Sequence, residues 1–219
     1  MQYYPVYLNL VGRKAVVIGG GQIAQGKVEN LLTAEACVFV VAPRLTKTLR
    51  SLRDELRISH IAREYQEGDL KGAFIAISAT DDRETNARVW QEALERNILM
   101  NVVDDTPHCN FIAPSILRRG DLTIAISTSG KAPAVAVRLR QQLEHSIGPE
   151  YAQFLTLAGQ ARAPLLAQTP DFEQRKALWY ELVDSDVFEL LRRGDETAAR
   201  GRIAEILGVW PEEQNHVDQ

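Results

Sequence analysis

Residues 14–27 (Lys-Ala-Val-Val-Ile-Gly-Gly-Gly-Gln-Ile-Ala-Gln-Gly-Lys) constrain this 219-residue chain more than any other stretch. They open with an apolar run, Ala15, Val16, Val17 and Ile18, the composition of a strand buried on both faces of a parallel sheet. The run breaks at three glycines. Apolar residues then return at helical spacing through Ile23, Ala24, Val28, Leu31 and Leu32. Gly19, Gly21 and Ala24 thus occupy the three small positions of G-x-G-x-x-G/A. In that pattern the first glycine permits the tight turn, and the second lets the backbone approach a pyrophosphate. The small third residue packs helix against sheet, while the helix N-terminus offers unpaired N–H groups and a positive dipole end. The strand before and the helix after favour a dinucleotide site over a turn without a ligand.

Bulk properties narrow the class. The length suffices for a full core and one to two domains. No apolar run reaches the roughly 18 residues of a membrane span, so no membrane partner is expected. The first ten residues have neither the basic nor the apolar region of a signal peptide and read as mature protein. Cys37 and Cys109 are too few for a disulfide framework and lack metal-ligand spacing, which points to a reduced, cytoplasmic chain. Twenty-five Lys and Arg against 29 Asp and Glu leave a net charge of −4, which gives no reason to expect nucleic acid.

Along the chain, a second buried strand is expected at 37–41, ending in Ala42-Pro43-Arg44. This is about 20 residues past the glycines, where an NAD-binding unit carries an acid for the ribose 2′-hydroxyl, and there is none. Arg44 has two readings: it faces a 2′-phosphate, which points to NADP, or it is a solvated residue at a helix entry. The spacing predicts a helix over 46–57 with Leu45, Leu49, Leu52 and Leu56 on one face, then strands at 58–62 and 73–80. A helix over 84–96 and a strand at 98–103 follow, with Asp104-Asp105 at the strand's C-terminal end. Ligands of open α/β sheets bind outside the carboxyl ends of the strands. Residues 19–23, 43–44, 78–81 and 103–105 should therefore share one rim, which adds Thr80 and Val103 to the candidate cofactor contacts.

From Asn110 the alternation changes. Segments 111–117 and 122–127, with a turn at 118–121, predict an antiparallel hairpin outside the parallel sheet. Pro133 falls in the first turn of a helix carrying Val135, Val137, Leu139 and Leu143. After Gly148-Pro149 the chain reads as helices over 151–168, 172–183, 186–193 and 197–207, with a polar tail at 211–219 expected to fray. The expected architecture is α/β. A Rossmann-type parallel sheet occupies 1–112, a small hairpin-and-helix segment 113–148, and a helical C-terminal domain 149–219.

Six motifs occur in an order and spacing that identify a family. They are Tyr4-Pro-Val-Tyr-Leu-Asn-Leu, Val17-Ile-Gly-Gly-Gly-Gln-Ile-Ala, Ser78-Ala-Thr-Asp-Asp, Asn101-Val-Val-Asp, Phe111-Ile-Ala-Pro-Ser and Ile126-Ser-Thr-Ser-Gly-Lys-Ala-Pro. Together they resemble precorrin-2 dehydrogenase, the NAD-dependent module of siroheme synthases, closely over residues 1 to about 150 and loosely beyond. The resemblance implies oxidation of precorrin-2 to sirohydrochlorin with NAD as hydride acceptor, and in some members insertion of Fe²⁺. It also implies a homodimer joined through the segment after the Rossmann unit. It ties Asp104 to catalysis and maps dinucleotide contacts onto Gln22, Ile23, Pro43 and Arg44. Two departures stand out. Thr128 replaces a serine phosphorylated in some fused members, and Gly26 replaces the usual arginine before the helix lysine. The methyltransferase domain of the fused enzymes has no counterpart in these residues.

The residues bear on that chemistry. Removing a hydride and a proton from a reduced macrocycle calls for a carboxylate near the nicotinamide, and Asp104 stands at a strand end on the expected rim. Asp81-Asp82 reads instead as the N-cap of the following helix. His108, four residues past Asp104, is a candidate ligand for Fe²⁺ in transit, although two residues do not complete a metal site. His60, His145 and His216 read as incidental. A polycarboxylate substrate calls for cations. Residues 110–145 carry Arg118, Arg119, Lys131, Arg138 and Arg140 against Asp121 and Glu144, an excess that an ordinary mixed surface also shows. Arg118, Lys131, Arg138 and the loop hydroxyls of Ser127, Thr128 and Ser129 are the candidate substrate contacts, the loop being equally a helix cap. Two other functions fit the same unit. One is a dinucleotide-sensing regulatory domain without catalysis; the other is a chelatase in which dinucleotide turnover is secondary.

Overall fold

The computed structural model describes residues 3–210, and the chain divides into two compact units, Met1–Ala113 and Pro114–Gln219. The first holds strands β1 (Lys14–Ile18), β2 (Cys37–Val41), β3 (Ser59–Ile61), β4 (Ile75–Ser78) and β5 (Leu99–Val102). All pair in parallel, in the order β3-β2-β1-β4-β5. Helices α1 (Gln22–Thr33), α2 (Lys47–Asp54) and α3 (Arg83–Glu95) cross between them. Successive side chains of a strand point to opposite faces. Val17 accordingly packs with Val28, Leu31, Val40 and Leu49 in one apolar layer, and Val16 and Ile18 pack with Val89, Met100 and Val102 in the other. Burial on both faces is why β1 reads as an unbroken apolar run.

All three helices close in the same way. Glu35, Leu56 and Asn97 adopt φ near +57°, +58° and +54°. In each case the left-handed residue and its successor donate back to the last helical turn: Glu35 to Leu32 and Ala36 to Leu31, Leu56 to Arg53 and Arg57 to Leu52, Asn97 to Leu94 and Ile98 to Ala93. These are Schellman closures, two of them without glycine or asparagine. They correct the expected helix over 46–57. The helix stops at Asp54, and Leu56, assigned above to its apolar face, is 91% exposed in the closing bend. β2 has the expected bounds, β3, β4 and β5 are shorter than expected, and a 3₁₀ turn (Thr106–His108) follows β5 where none was foreseen.

In the second unit, β6 (Ser115–Arg119) and β7 (Leu122–Ile126) form an antiparallel hairpin in which Arg119 faces Leu122 across Gly120-Asp121. The expected four-residue turn is thus a two-residue loop, with a positive φ of +56° at its first position. A Cβ on Gly120 would meet the Ala152 Cβ at 2.9 Å. Arg119 donates to the carbonyls of Ile147 (2.9 Å) and Glu144 (3.3 Å), closing helix α4 (Pro133–Ser146). Helices α5 (Glu150–Gln168), α6 (Phe172–Val183), α7 (Val187–Arg192) and α8 (Glu196–Leu207) surround Leu165, Leu182, Val187 and Ile203. The hairpin and α4 belong to the same unit as these helices, because a two-stranded hairpin cannot hold itself together in water. On α4 only Ala136 is buried, while Val135, Val137 and Leu139 are exposed. The tail at 211–219 and His216 lie outside the described residues.

Because Leu56 pays no packing role in a left-handed bend, Leu56→Gly is expected to raise unfolding free energy by about 0.5–1 kcal/mol, read by urea denaturation. Equal or lower stability refutes that account of the bend.

Candidate dinucleotide site

With five parallel strands, the carboxyl ends of β1, β2, β4 and β5 lie on one rim, and each contributes a loop to it. The sheet order switches direction across β1 and β4, where such folds take ligands. Gly19 has φ +114°, and a Cβ there would stand 2.4 Å from the Ala79 carbonyl oxygen. A Cβ on Gly20 would stand 2.0 Å from the Arg44 carbonyl oxygen. These two glycines let the loops after β4 and β2 close on the turn. Gly21 differs: a Cβ there meets nothing within 4 Å. Space is therefore left at the position where a pyrophosphate approaches the backbone. Gly21 is also the N-cap of α1 and supplies no side-chain cap, so the first-turn N–H groups are left to a ligand. Gln22 opens the helix, Ile23 is 53% exposed beside it, and Ala24 is fully buried against the sheet. These residues suit a dinucleotide.

The neighbouring loops are laced to this turn. Gly19 N–H donates to Val41 O (2.9 Å) and Thr46 N–H to Gly20 O (3.0 Å). The Thr46 hydroxyl donates to Gln25 Oε1 at 2.8 Å. Pro43 and Arg44 are exposed in the loop so held. After β4, the buried Ser78 hydroxyl donates to Asn86 Oδ1 (2.6 Å), whose Nδ2 donates to Thr80 O (3.1 Å). Thr80 Oγ1 accepts from Asp82 N–H (3.2 Å). Asp82 caps α3, accepting from the N–H groups of Glu84 and Thr85. The Thr85 hydroxyl, with those N–H groups, holds its carboxyl below the usual range. This is the capping role expected of the Asp81-Asp82 pair.

Val103 and Asp104 follow β5. Asp105 N–H donates back to Val102 O (3.2 Å), and Asp104, at φ +58°, takes the third place of that turn, a place that asks for a left-handed residue. Its side chain is exposed and has no hydrogen bond or ion pair with any described residue. Two residues that sequence reasoning passed over hold the bend. Asn110 stands in for a partner strand at the free edge of β5, accepting from Met100 N–H (2.7 Å) and donating to Ile98 O (2.9 Å). The buried Cys109 sulfur accepts from Val102 N–H at 3.2 Å. Burial pushes its thiol pKa up, keeping it a neutral donor towards Val102 O and Asp105 O. Only the return of the chain along β5 reveals either role.

His108 is bonded to Asp105 rather than to Asp104. Its Nδ1 lies 2.7 Å from Asp105 Oδ2, and its ring meets Trp90 edge-on at 5.8 Å between centroids. Among the described residues no group of three or more His, Cys, Asp or Glu side chains is arranged to hold a metal.

In the second unit, Arg118, Lys131 and Arg138 are exposed and make no ion pair among the described residues, whereas Arg140 pairs with Glu144. The loop before α4 is internally bonded. Ser127 Oγ accepts from Ser129 N–H (3.0 Å) and Thr128 Oγ1 from Ala132 N–H (3.2 Å).

Residues 6–115 match the family model described as putative NAD(P)-binding. Residues 119–146 match the sirohaem biosynthesis protein central region, and 150–207 the sirohaem synthase dimerisation region. The chain belongs to the sirohaem synthase family. Its dimerisation match falls on α5–α8, whereas the sequence reading attached dimerisation to 113–148. Curated siroheme synthases of Photobacterium profundum and Pseudoalteromonas translucida are 37% and 36% identical to it over 206 and 217 residues. The chain spans less than half of them, 44% and 46%, while the matches cover 94% and 99% of this chain. Among solved structures, one titled SirC, precorrin-2 dehydrogenase, superposes with a TM-score of 0.77 at 24% identity, covering 93% of this chain and all of that one. It shares this fold.

The glycines separate by experiment. Gly21→Ala is expected to keep the melting temperature within a degree or two and to weaken dinucleotide binding at least tenfold by calorimetric titration, since the added methyl fills the ligand's space. Gly19→Ala is expected to lower the melting temperature itself, because its Cβ collides with backbone. Unimpaired binding by Gly21→Ala overturns the site.

Proposed function

We propose that this protein dehydrogenates precorrin-2 to sirohydrochlorin, with a nicotinamide dinucleotide as acceptor. The observation that carries the reading is the unpartnered carboxylate of Asp104, on the same rim as a glycine turn with open space at Gly21. Two electrons and two protons leave the macrocycle. A C–H bond breaks with hydride transfer to the bound dinucleotide, and a second hydrogen leaves as a proton. Asp104, exposed at the strand end and engaged by no other group, is the base that accepts the proton and passes it to water. The resemblance implies NAD as the acceptor, and names among the relatives and the similar structure support the siroheme pathway.

The substrate carries many carboxylates, and the second unit offers Arg118, Lys131 and Arg138 without acidic partners among the described residues. The Ser127, Thr128 and Ser129 hydroxyls add donors, since Ser127 and Thr128 use only acceptor positions within the loop. The dimerisation match supports a homodimer. Two free cysteines suit a cytoplasmic setting. Fe²⁺ insertion belongs to this reading as a second step of the same protein: Asp105 holds only the Nδ1 of His108, and its Nε2 is left for a metal.

The test is anaerobic incubation with precorrin-2 and dinucleotide, followed by absorbance. Asn tolerates a left-handed backbone, so Asp104→Asn removes the acid and spares the bend. It is expected to lose about 10²–10⁴-fold in turnover while binding dinucleotide normally. Full turnover by this variant ends the catalytic assignment. Dinucleotide binding with no conversion by the unaltered chain favours the sensing domain instead.

A further inference from the structure

We propose that Ser78 and Asn86 are positioning residues for the dinucleotide: together they hold Thr80 so that its main-chain N–H and its hydroxyl donate to the bound nucleotide. The inference rests on the dinucleotide reading of the glycine turn and goes beyond it to what holds the cofactor in place. Alternation along β4 puts Ala76 and Ser78 on one face of the strand. On α3, Asn86, Val89 and Ala93 recur at helical spacing, all buried. Ala76, Val89 and Ala93 pack in one apolar layer. At the rim end of that layer the apolar pattern stops, and Ser78 and Asn86, 0% and 7% exposed, replace it with a polar pair. Burying two polar groups costs free energy unless each finds a partner, so the use of the pair lies in what it bonds.

The bonds lead to Thr80. Its carbonyl can only accept, so the amide nitrogen of Asn86 must face it, as it does at 3.1 Å. That leaves Asn86 Oδ1 towards Ser78, whose hydroxyl donates to it at 2.6 Å. Ser78 thereby sets the orientation of the amide, and the amide fixes the peptide after Thr80. The peptide before Thr80 lies against Gly19, where the Ala79 oxygen occupies the place of a Cβ. Thr80 is thus held from both sides. What it presents is unused. Its N–H bonds no described residue, and its hydroxyl oxygen, accepting from Asp82 N–H at 3.2 Å, still has a proton to give. Its nitrogen would lie 3.5 Å from a Cβ on Gly19, beside the first glycine of the fingerprint. Two donors at that place suit the phosphate and ribose oxygens of a dinucleotide.

The experiment is calorimetric titration of the full chain with NAD, joined to the dehydrogenase assay, for the unaltered protein, Ser78→Ala, Asn86→Asp and the double variant. Asn86→Asp keeps the acceptor for Ser78 and turns the donor towards Thr80 into a second acceptor. It is expected to weaken NAD binding about tenfold, and Ser78→Ala about threefold, with circular dichroism showing folded protein. In the assay the KM for NAD is expected to rise by the same factors while that for precorrin-2 stays, a split that loss of packing alone would not produce. Because Ser78 acts through Asn86, the double variant is expected to bind no worse than Asn86→Asp. Unchanged NAD binding in folded Asn86→Asp overturns the inference, and so do losses that simply multiply in the double variant. If Asn86→Asp does not fold, Ser78→Ala decides: unchanged NAD affinity there overturns the inference. Folded, unaltered protein that binds no NAD refutes the dinucleotide reading itself. NAD binding without conversion of precorrin-2 refutes the proposed reaction instead, and the calorimetric comparison still decides the role of the pair.

Discussion

The site depends on how closely three pieces of backbone approach each other at Gly19 and Gly20. Two carbonyl oxygens, of Ala79 and Arg44, occupy the volumes where those residues would carry side chains. That contact draws the loops after β4 and β2 onto the turn after β1, so three separate strand ends become one surface. Hydrogen bonds from Gly19 to Val41 and from Thr46 to Gly20 then fix it. Nothing larger than hydrogen is admitted at either place, and this, more than flexibility, is what the paired glycines are for. Gly21 serves the opposite purpose. It keeps volume vacant, which is a ligand requirement and contributes nothing to the fold.

Around this centre the supporting residues are polar groups engaged with backbone. Asp82 caps α3, Ser78 and Asn86 hold the loop after β4, and Asn110 and Cys109 close the open edge of β5. Each satisfies main-chain groups that a strand or helix end leaves without partners. The acid proposed for catalysis and the arginine of the loop after β2 are exceptions. Asp104 and Arg44 have rooted backbones and unengaged tips. On a rim where most polar side chains are occupied, those are groups left for a ligand.

Much of this was legible in residues 14–27 and in the alternation that follows. Unbroken apolar runs report strands buried on both faces, and their order with intervening helices leaves few topologies for a parallel sheet. The rim was legible because all parallel strands end on one side. The losses were local. Leu56 kept the helical spacing but lies in a closing bend, because the Schellman closure is a property of backbone hydrogen bonds and recruited a leucine where glycine is usual. The hairpin's turn read four residues long because Arg118 and Arg119 look like loop residues, yet Arg119 bonds the end of α4. Cys109 and Asn110 gave no signal, since their partners are main-chain atoms that no side-chain pattern records.

The left-handed backbone at Asp104 narrows what any related chain can carry there. Glycine and asparagine fit the bend but bring no acid; glutamate enters such a bend, as Glu35 does, but carries its carboxyl one methylene further out. A relative in which this place has drifted to asparagine keeps its architecture and its nucleotide cradle intact. Such a chain is the form a converter takes once it has become a reader, and that single letter would announce the change.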